Sequence, residues 1–598
     1  MTKNLKSLEL FCRWLLQQSQ SMAKNIIFSP LIFIMIKYFL LLSGIVCFTN
    51  LSFAQSAFLK RNSDQYYLLD RYDILNGTVS DTLHSCINPT SQKDAVRFLE
   101  NYLNTHLNEL SAKEQWEIRN FISKNGEWAA NGEGAIDSKY PIFKTIYAKQ
   151  SDMFHVNKKD YTIVVNPIIY YQQSAESNNS KQNIFYNSKG IEARGNIGKR
   201  LGFYTVFTDN QERGPLSHQL YVKNHKAIPG GVTYYKDFKQ DKPGLAQDYI
   251  YAAGYIDADI LKEKVNISFG SNRFQIGDGY RSLFLSDFGS NYLFLKLNTR
   301  IGRFNYQNLF MELTPQFPRG ADALLPKKYA AIHHLSVNPF KWLNVGLFES
   351  VVFARKDHFE FQYLNPIILY RGVEQSLGSP DNAMLGLNFK INTKIRSVVY
   401  GQLLLDEFNF SQIKAHNGWW GNKYGLQLGV KMVDLFGIKN LMVQPELNVI
   451  RPFTYSFRDS VAEFSHYNQA MAHPYGANLM ELSLNVQYKP MKKMFITLRS
   501  FYNKQGRDTA SNVTFGGNVF SSYTNPHPDS GIYMFNGYSS SVVYSNLNMS
   551  YELRDNLFID LGGVYRMEEA NHPSNPTFKS ATFYLGFRLN ASRRQYDY

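Results

Sequence analysis

Residues 479–489 read LMELSLNVQYK, and an apolar side chain occupies every second position of this run. Residues 423–432, KYGLQLGVKM, and residues 440–449, NLMVQPELNV, repeat the pattern. Successive side chains of a β-strand point to opposite faces, so each run predicts a strand with one apolar face and one polar face. A water-soluble sandwich would show the same alternation, and the connections between strands must therefore decide the architecture.

Segments of this kind follow one another through most of the chain. The predicted strands are 161–172, 189–197, 200–209, 248–259, 263–271, 291–300, 302–312, 328–338, 341–353, 382–392, 395–406, 422–434, 439–450, 477–489, 492–503, 539–553, 556–568 and 577–590. Most have at least the roughly 9 to 11 residues that a tilted strand needs to cross a bilayer.

The connections between these strands alternate in length. Short turns, such as 301–302, 490–491 and 554–555, alternate with long connections over about 210–247, 272–290, 354–381, 451–476 and 504–538. Short turns on one side and long loops on the other are typical of outer-membrane barrels. The last strand, with Phe583, Leu585, Phe587 and Leu589 on one face, fits a closing strand. The sequence therefore predicts an all-β, transmembrane antiparallel β-barrel of about 18 strands, with a secreted β protein as the alternative.

The N-terminus has the pattern of a secretory signal peptide. Lys37 precedes an apolar run over 38–48, and the small-x-small exit of Ser52 and Ala54 predicts cleavage after Ala54. We assign 1–54 as leader and signal peptide, with Met35 as an alternative start. A transmembrane anchor is the competing interpretation, although the apolar run is short for a membrane-spanning helix.

Residues 91–123 have the period of helices instead of strands. Ser91 with Asp94, and Ser111 with Glu114, form capping boxes in which side chains satisfy amide donors at a helix start. Two short helices are predicted in an N-terminal periplasmic segment, 55–140, which could brace or plug the lower mouth of a barrel formed by 141–598. A loosely ordered linker is the alternative for this helical segment.

Composition excludes several other classes of protein. The 598 residues carry a formal charge of +15, include 3 Cys, and have a mean hydropathy of −0.32. So few cysteines exclude a disulfide scaffold, and the chain is too polar for a bundle of membrane helices. The adjacent residues His333 and His334 point to opposite faces of a strand and cannot hold one ion together. No catalytic, metal-site or phosphate-binding motif is present, so we predict a non-enzymatic protein with no cofactor and no nucleic-acid partner, although a lumenal Ser/His hydrolase stays open.

The long connections contain aromatic and charged residues that could contact a sugar. Aromatic rings stack on sugar ring faces, and Arg binds acidic sugars bidentately. The candidate ligand-binding residues are Tyr280, Arg281, Arg371, Glu374, Trp419 and Trp420. The segment 359–382 is too apolar for an ordinary surface loop, and we expect it to fold back into the barrel mouth. The alternatives are that the tryptophans are membrane-girdle residues and that Arg371, Glu374 and Gln375 merely contact each other.

A family resemblance accompanies these residues. The motifs are Tyr363-Leu364-Asn365-Pro366, Tyr370-Arg371-Gly372, Glu374-Gln375-Ser376, Asp381-Asn382, Tyr400-Gly401-Gln402 and Asp406-Glu407-Phe408. From about residue 140 the chain resembles the Wzi-type capsule-assembly family, including its RemB-like gliding-motility relatives. The resemblance implies an 18-stranded barrel in the bacterial outer membrane, with a periplasmic helical element and a lectin-like, non-catalytic role toward capsular or exopolysaccharide. No sugar-binding residue is transferred from the family to this sequence.

The resemblance leaves three functions open. The first is binding or organising surface polysaccharide. The second is an outer-membrane anchor in surface adhesion or gliding-motility machinery, and the third is a diffusion channel. The expected partners are surface polysaccharide, outer-membrane lipid and lipopolysaccharide, and, for the second function, adhesion or motility proteins.

Overall fold

The computed structural model describes residues 57–598 except for 61, 131, 133, 180, 199–200, 231–233, 239–245, 262–263, 318–323, 356–357, 510–512 and 571–576. The predicted leader lies outside the described residues. Eighteen long strands form one closed barrel. They are β1 (Tyr161–Glu176), β2 (Ile184–Ile197), β3 (Leu201–Arg213), β4 (Gln247–Asp259), β5 (Val265–Asn272), β6 (Tyr292–Ile301), β7 (Phe304–Leu313), β8 (Lys328–Phe340), β9 (Leu343–Phe353), β10 (Asn382–Asn392), β11 (Ser397–Glu407), β12 (Lys423–Val433), β13 (Leu441–Ile450), β14 (Leu479–Met491), β15 (Met494–Arg507), β16 (Tyr538–Arg554), β17 (Leu557–Ala570) and β18 (Phe578–Leu589).

Each strand pairs with its neighbours in the chain in antiparallel register, and β18 returns to pair with β1. The closing register runs from Thr582 opposite Glu176 to Leu589 opposite Ile169. Closure pairs the backbone groups of both edge strands, which is the requirement for a sheet in lipid. The predicted barrel and its strand count are confirmed. The largest boundary error, five residues, lies at the loop end of β2, and β1, β3 and β15 each extend four residues beyond their predicted loop ends.

The alternation seen in the sequence separates an outer face from a lumenal face. In β14, Leu482 and Leu484 are exposed on the outer wall, whereas Glu481, Ser483 and Asn485 are buried in the lumen. Apolar side chains suit acyl chains, and the polar side chains hydrogen-bond within the lumen. The face assignment predicted from residues 479–489 is therefore confirmed.

Three helices precede the barrel: α1 (Gln65–Leu75), α2 (Gln92–Thr105) and α3 (Ala112–Lys124). Ser111 and Glu114 form the predicted capping box of α3. At α2 only the Ser91 side chain is seen to accept from the Asp94 amide, and the Asp94 carboxylate lies 3.0 Å from the Arg300 guanidinium. The α1 helix was not predicted, because it has neither a side-chain cap nor a marked apolar face. None of the described helices is both long and apolar enough to cross a membrane.

These helices lie at the barrel mouth on the side of the short turns, and their assignment to a periplasmic segment stays a prediction. Their apolar residues pack against Val398, Val433, Met442 and Phe495, which lie near the turn ends of β11, β12, β13 and β15. Charged side chains of α1 form salt bridges with the barrel. The pairs are Asp70 with Lys431, Arg71 with Asp434, and Asp73 with Lys390. The Tyr67 hydroxyl also donates to the Asn440 carbonyl at 2.7 Å.

Two further segments turn inward and fill the lumen. The β5–β6 loop places Phe284 on Phe348, with ring centroids 4.4 Å apart, and Gln275–Ile276 pairs with Ile87–Asn88 of the N-terminal segment. After β18, residues 591–598 also run inside the barrel, where Tyr596 and Tyr598 are buried. The remaining lumenal cavity has a volume of about 450 Å³.

The β9–β10 connection does the opposite of what the sequence predicted. Residues 359–379, here called the outer flap, lie on the outer wall and not in the barrel mouth. Their Tyr363, Tyr370 and Val373 pack on Val351 and Phe353 of β9. Those two wall residues share a face with Leu347, which is 55% exposed on the barrel exterior. The apolar character of the flap reflects packing against this apolar exterior, which the sequence pattern of one loop cannot distinguish from a lumenal surface.

Candidate functional site

A pocket at the rim on the long-loop side brings together side chains from four connections. It has a volume of about 140 Å³. Its lining residues are Arg371, Glu374, Ser379, Asp381, Asn382, Ala383, Asp406, Glu407, Phe457, Arg458 and Tyr523. We call it the rim pocket. This volume is below the roughly 300 Å³ of typical drug-sized sites, and it suits one small polar ring unit.

An aromatic cluster borders the rim pocket. The Trp420 ring centroid lies 5.0 Å from that of Tyr523, and Phe457 packs on Tyr523 at 5.9 Å. His527 lies 4.8 Å from Trp420 on the far side. Trp420 and Tyr523 are only partly buried, so part of their surface stays available for stacking.

The buried ammonium group of Lys423 pairs with two carboxylates next to these rings. Lys423 is fully buried, and its ammonium lies 3.0 Å from the Glu407 carboxylate and 3.6 Å from that of Asp406. The same ammonium lies 4.6 Å from the Tyr523 ring centroid, within the range of a cation–π interaction. Lys423 therefore fixes two acidic groups and one aromatic ring of the pocket at once.

Hydrogen bonds between two long loops fix the opposite wall. The Ser522 hydroxyl donates to the Arg458 carbonyl at 2.7 Å, and the Tyr523 amide donates to the Phe457 carbonyl at 3.4 Å. Burial raises the pKa of the Tyr523 phenol, so its hydroxyl stays protonated at neutral pH. The Arg458 side chain is exposed and can reach a ligand.

Arg371 and Glu374 reach the rim pocket from the outer flap. They belong to helix α5 (Tyr370–Ser376), which follows α4 (Leu216–His225) in chain order, and their side chains pair at 3.1 Å. Glu374 is fully buried and its Oε1 has no hydrogen-bond partner, whereas the Arg371 side chain is 54% exposed. The sequence prediction that these two residues could pair with each other is confirmed.

Tyr280 and Arg281 lie elsewhere, inside the lumen. The Arg281 guanidinium lies 2.9 Å from Glu481 and stacks 4.8 Å from the Tyr280 ring. Both backbone amides donate to Glu446, and the Tyr280 hydroxyl donates to Asp597. These groups hold the inward-turned loop, and the structure does not bring them near the rim pocket.

Trp419 stands between the rim and the neighbouring loops. Its ring centroid lies 6.0 Å from that of Trp420, and its ring closes over Gly421, where an added Cβ would lie 2.4 Å from it. The candidate tryptophans are thus loop residues of the rim. Trp420 packs on Tyr523, which lines the pocket, and Trp419 packs on Trp420.

The lumenal cavity has charged walls, and several of these charges are already paired. Lys60 lies 2.6 Å from Glu192, Arg594 lies 2.8 Å from Glu212, and Arg593 pairs with Asp64. A ligand there would have to replace these contacts. The exposed Arg371 and Arg458 make the rim pocket the better site.

Sequence reasoning missed Lys423, Phe457, Arg458, Tyr523 and His527. Lys423 begins a strand and has the pattern of a solvated strand end, while the other four lie in loops whose paths depend on contacts far away in the chain. Among the described residues, no group of three or more His, Cys, Asp or Glu side chains is arranged to hold a metal ion.

Comparison with solved structures places this fold among outer-membrane barrels. The chain is similar to Wzi from Escherichia coli, described as an outer-membrane protein involved in group 1 capsule assembly and a carbohydrate-binding β-barrel. The two share 12% identity over 90% of this chain and 100% of that chain, with a TM-score of 0.53. Two further matches are OccK8 (OprE) and OpdK with vanillate, both from Pseudomonas aeruginosa. The alignment with OccK8 spans 71% of this chain and 97% of OccK8, at 9% identity and a TM-score of 0.40. The alignment with OpdK spans 71% of this chain and 98% of OpdK, at 7% identity and a TM-score of 0.41. No protein-family model and no curated protein matches the chain.

Proposed function

We propose that this protein is a non-catalytic outer-membrane barrel that binds surface polysaccharide at the rim pocket. The observation that carries the proposal is the convergence of partly exposed rings, Trp420 and Tyr523, with the exposed guanidinium groups of Arg371 and Arg458. Rings contact the apolar faces of sugars, and guanidinium groups bind hydroxyl or carboxylate oxygens. The fold likeness to a carbohydrate-binding barrel supports the same function.

The location of the pocket also suits a polymer. It lies at the long-loop end, which faces the cell exterior in outer-membrane barrels, and it is open to one ring unit at a time. A chain could pass over the rim while a single residue occupies the pocket. Residues 1–54 contain five Lys and Arg against one Glu, so the formal charge of +15 becomes +11 without the predicted leader, and this charge favours acidic polysaccharide through long-range attraction.

The other two functions make different demands on the molecule. A diffusion channel needs an open lumen, and here the helices, the β5–β6 loop and residues 591–598 occupy it. An anchor for adhesion or motility machinery needs a protein partner on the loop side, and that function stays a prediction. Retention of capsule together with loss of surface spreading in a deletion strain would favour the anchor.

The test is binding of the host's own polysaccharide to the full-length protein in detergent. Trp420→Ala, Tyr523→Ala and Arg458→Ala should each weaken binding by about 10-fold, because each removes a contact of roughly 1–2 kcal/mol. The matched control is Phe410→Ala, which removes an aromatic ring that is 59% exposed but does not line the pocket. Equal affinity in all four variants would reject the rim pocket as the binding site.

A further inference from the structure

The outer flap covers a polar patch on the barrel exterior. Asn308, His333 and Glu349 lie on the outward face of β7, β8 and β9, in line with the exposed wall residue Leu347. Polar groups facing acyl chains without hydrogen-bond partners cost several kcal/mol each. An uncovered patch of this kind would destabilise the barrel in a membrane.

The flap supplies contacts to each of these three groups. The Asn308 side-chain amide donates to the Pro366 carbonyl at 3.1 Å, and the Arg371 backbone amide donates to Glu349 at 3.0 Å. The Tyr370 ring lies over His333 with centroids 3.9 Å apart. These contacts fix the position of the flap on the exterior, while Nε2 of His333 and Oε2 of Glu349 have no hydrogen-bond partner beneath it.

The opposite side of the flap faces away from the protein and exposes three large apolar side chains together with the polar Gln362 and Asn365. The side chains of Phe361, Ile367 and Leu369 are 79%, 85% and 71% exposed. Leaving three such side chains in water is unfavourable compared with burying them in an apolar medium. On β10, the strand next to β9, Leu385 and Leu387 are exposed in the same way on the lipid-facing wall.

The height of the flap on the wall corresponds to the outer leaflet. Glu349 lies six residues above Leu343, where β9 leaves its short turn. At about 3.3 Å per residue and a tilt near 40°, that is about 15 Å above the turn, in the upper half of an apolar band about 25 Å tall. Residues 366–371 contact the wall at this height, and residues 359–363 pack nearer to the rim, on Phe353.

We propose that the outer flap is inserted in the membrane, with Phe361, Ile367 and Leu369 among the acyl chains at the headgroup boundary of the outer leaflet. Irregular backbone in lipid needs its polar groups satisfied internally. Part of the flap backbone meets this condition: the Ile367 amide donates to the Asn365 side chain at 3.1 Å, Pro366 has no amide hydrogen, and the Gly372 amide donates to the Leu369 carbonyl at 3.1 Å. Amphipathic segments commonly bury an apolar face about 5–10 Å into this boundary.

Membrane insertion has a consequence for the rim pocket. Arg371 and Glu374 follow directly after the lipid-facing residues, on the helix that ends the flap. Lipid would thus hold the flap on the wall and keep these two side chains at the pocket. The inference concerns the flap alone, and it stands whether or not the rim pocket binds polysaccharide.

The experiment measures the surroundings of spin labels on the full-length protein in phosphatidylcholine and phosphatidylglycerol vesicles. Nitroxide labels are attached to Ile367→Cys and Leu369→Cys, and power saturation compares collision with oxygen, which partitions into lipid, and with a water-soluble nickel chelate. The buried Cys86 and the two leader cysteines, Cys12 and Cys47, are replaced by Ser in all variants. Leu347→Cys marks the lipid-facing wall, and Phe410→Cys marks the aqueous loop surface.

We expect the labels at 367 and 369 to match that at 347, with high oxygen and low nickel accessibility. Labels at 367 and 369 that match the one at 410 would show a flap in water and overturn the proposal. Labels inaccessible to both reagents would show that protein covers the flap, which also overturns it. The heat-dependent gel mobility of each variant verifies that the barrel is folded.

Discussion

The guanidinium Nε of Arg281 lies 2.9 Å from Oε1 of Glu481, and this contact joins an inward-turned loop to strand β14 across 200 residues of sequence. Both side chains are buried, and His473 lies 3.3 Å from the same carboxylate. Asp597 contributes its backbone carbonyl to the guanidinium at 2.8 Å. One cation thus holds the wall, the lumenal loop and the residues after β18 together.

Removing that cation should loosen the lumen. Arg281→Ala leaves Glu481 buried without its main partner, and breaking such a pair typically costs about 3–5 kcal/mol. We expect a lower unfolding temperature and, in planar bilayers, ion conductance above that of the parent protein. The control is Arg396→Ala, whose side chain is 62% exposed and pairs with Asp434 at 3.3 Å. An exposed pair contributes less than about 1 kcal/mol, so the control should change neither measurement.

The segment after β18 should be released by a single substitution in β3. Glu212 accepts from the Arg594 guanidinium at 2.8 and 2.9 Å, and the Tyr598 hydroxyl lies 2.7 Å from the His218 ring. Glu212→Gln leaves Arg594 with a neutral partner in a buried site. We expect trypsin to cleave this variant near residue 594 much faster than the parent protein.

Glu568→Gln is the matched control for that cleavage experiment. Its carboxylate pairs with Arg507 and Arg566 on the barrel wall. Within the described part of the chain, neither salt bridge involves residues 591–598. Unchanged resistance to trypsin in Glu212→Gln would show that the apolar packing of Tyr596 and Tyr598 alone retains the segment.

Docking of the N-terminal segment should weaken in acid through His84. Burial lowers the pKa of His84 to about 3, and its Nδ1 lies 2.8 Å from the Ser336 hydroxyl. Above pH 6.5 the His84 ring is neutral in both the docked and the undocked segment, so its protonation does not affect docking. Between pH 6.5 and about 3 only the undocked segment takes up the proton, which disfavours docking by about 1.4 kcal/mol per pH unit, or about 2 kcal/mol at pH 5.

Hydrogen exchange over residues 57–130, corrected for intrinsic rates, measures this effect. We expect the parent protein to lose protection between pH 7 and pH 5 and His84→Asn to lose less, because the substituted side chain does not titrate. Identical losses in both proteins would assign the acid sensitivity to the carboxylates of the segment instead.

The strands could be predicted because their information is local. In β14 every second side chain points to the same face, so the two faces can be assigned without knowing any distant contact. The path of the outer flap could not be predicted, since an apolar loop has two apolar surfaces available, and the contacts that select the exterior, such as Asn308 with Pro366, join separate parts of the chain. Arg371 and Trp420 were found by residue type, whereas Tyr523 acquires its role only through a hydrogen bond between two loops.

Lys423 should control polysaccharide binding without contacting the sugar. Its ammonium is buried between Asp406, Glu407 and the Tyr523 ring, so Lys423→Met leaves the buried Asp406 without a cation and frees Tyr523 to move. We expect affinity for the host polysaccharide to fall by about 10-fold while heat-dependent gel mobility still shows a folded barrel. In the double variant Lys423→Met with Tyr523→Ala, the loss should be no greater than for Tyr523→Ala alone, because both changes disable the same ring. Fully additive losses would mean that Lys423 acts on the ligand by a separate route.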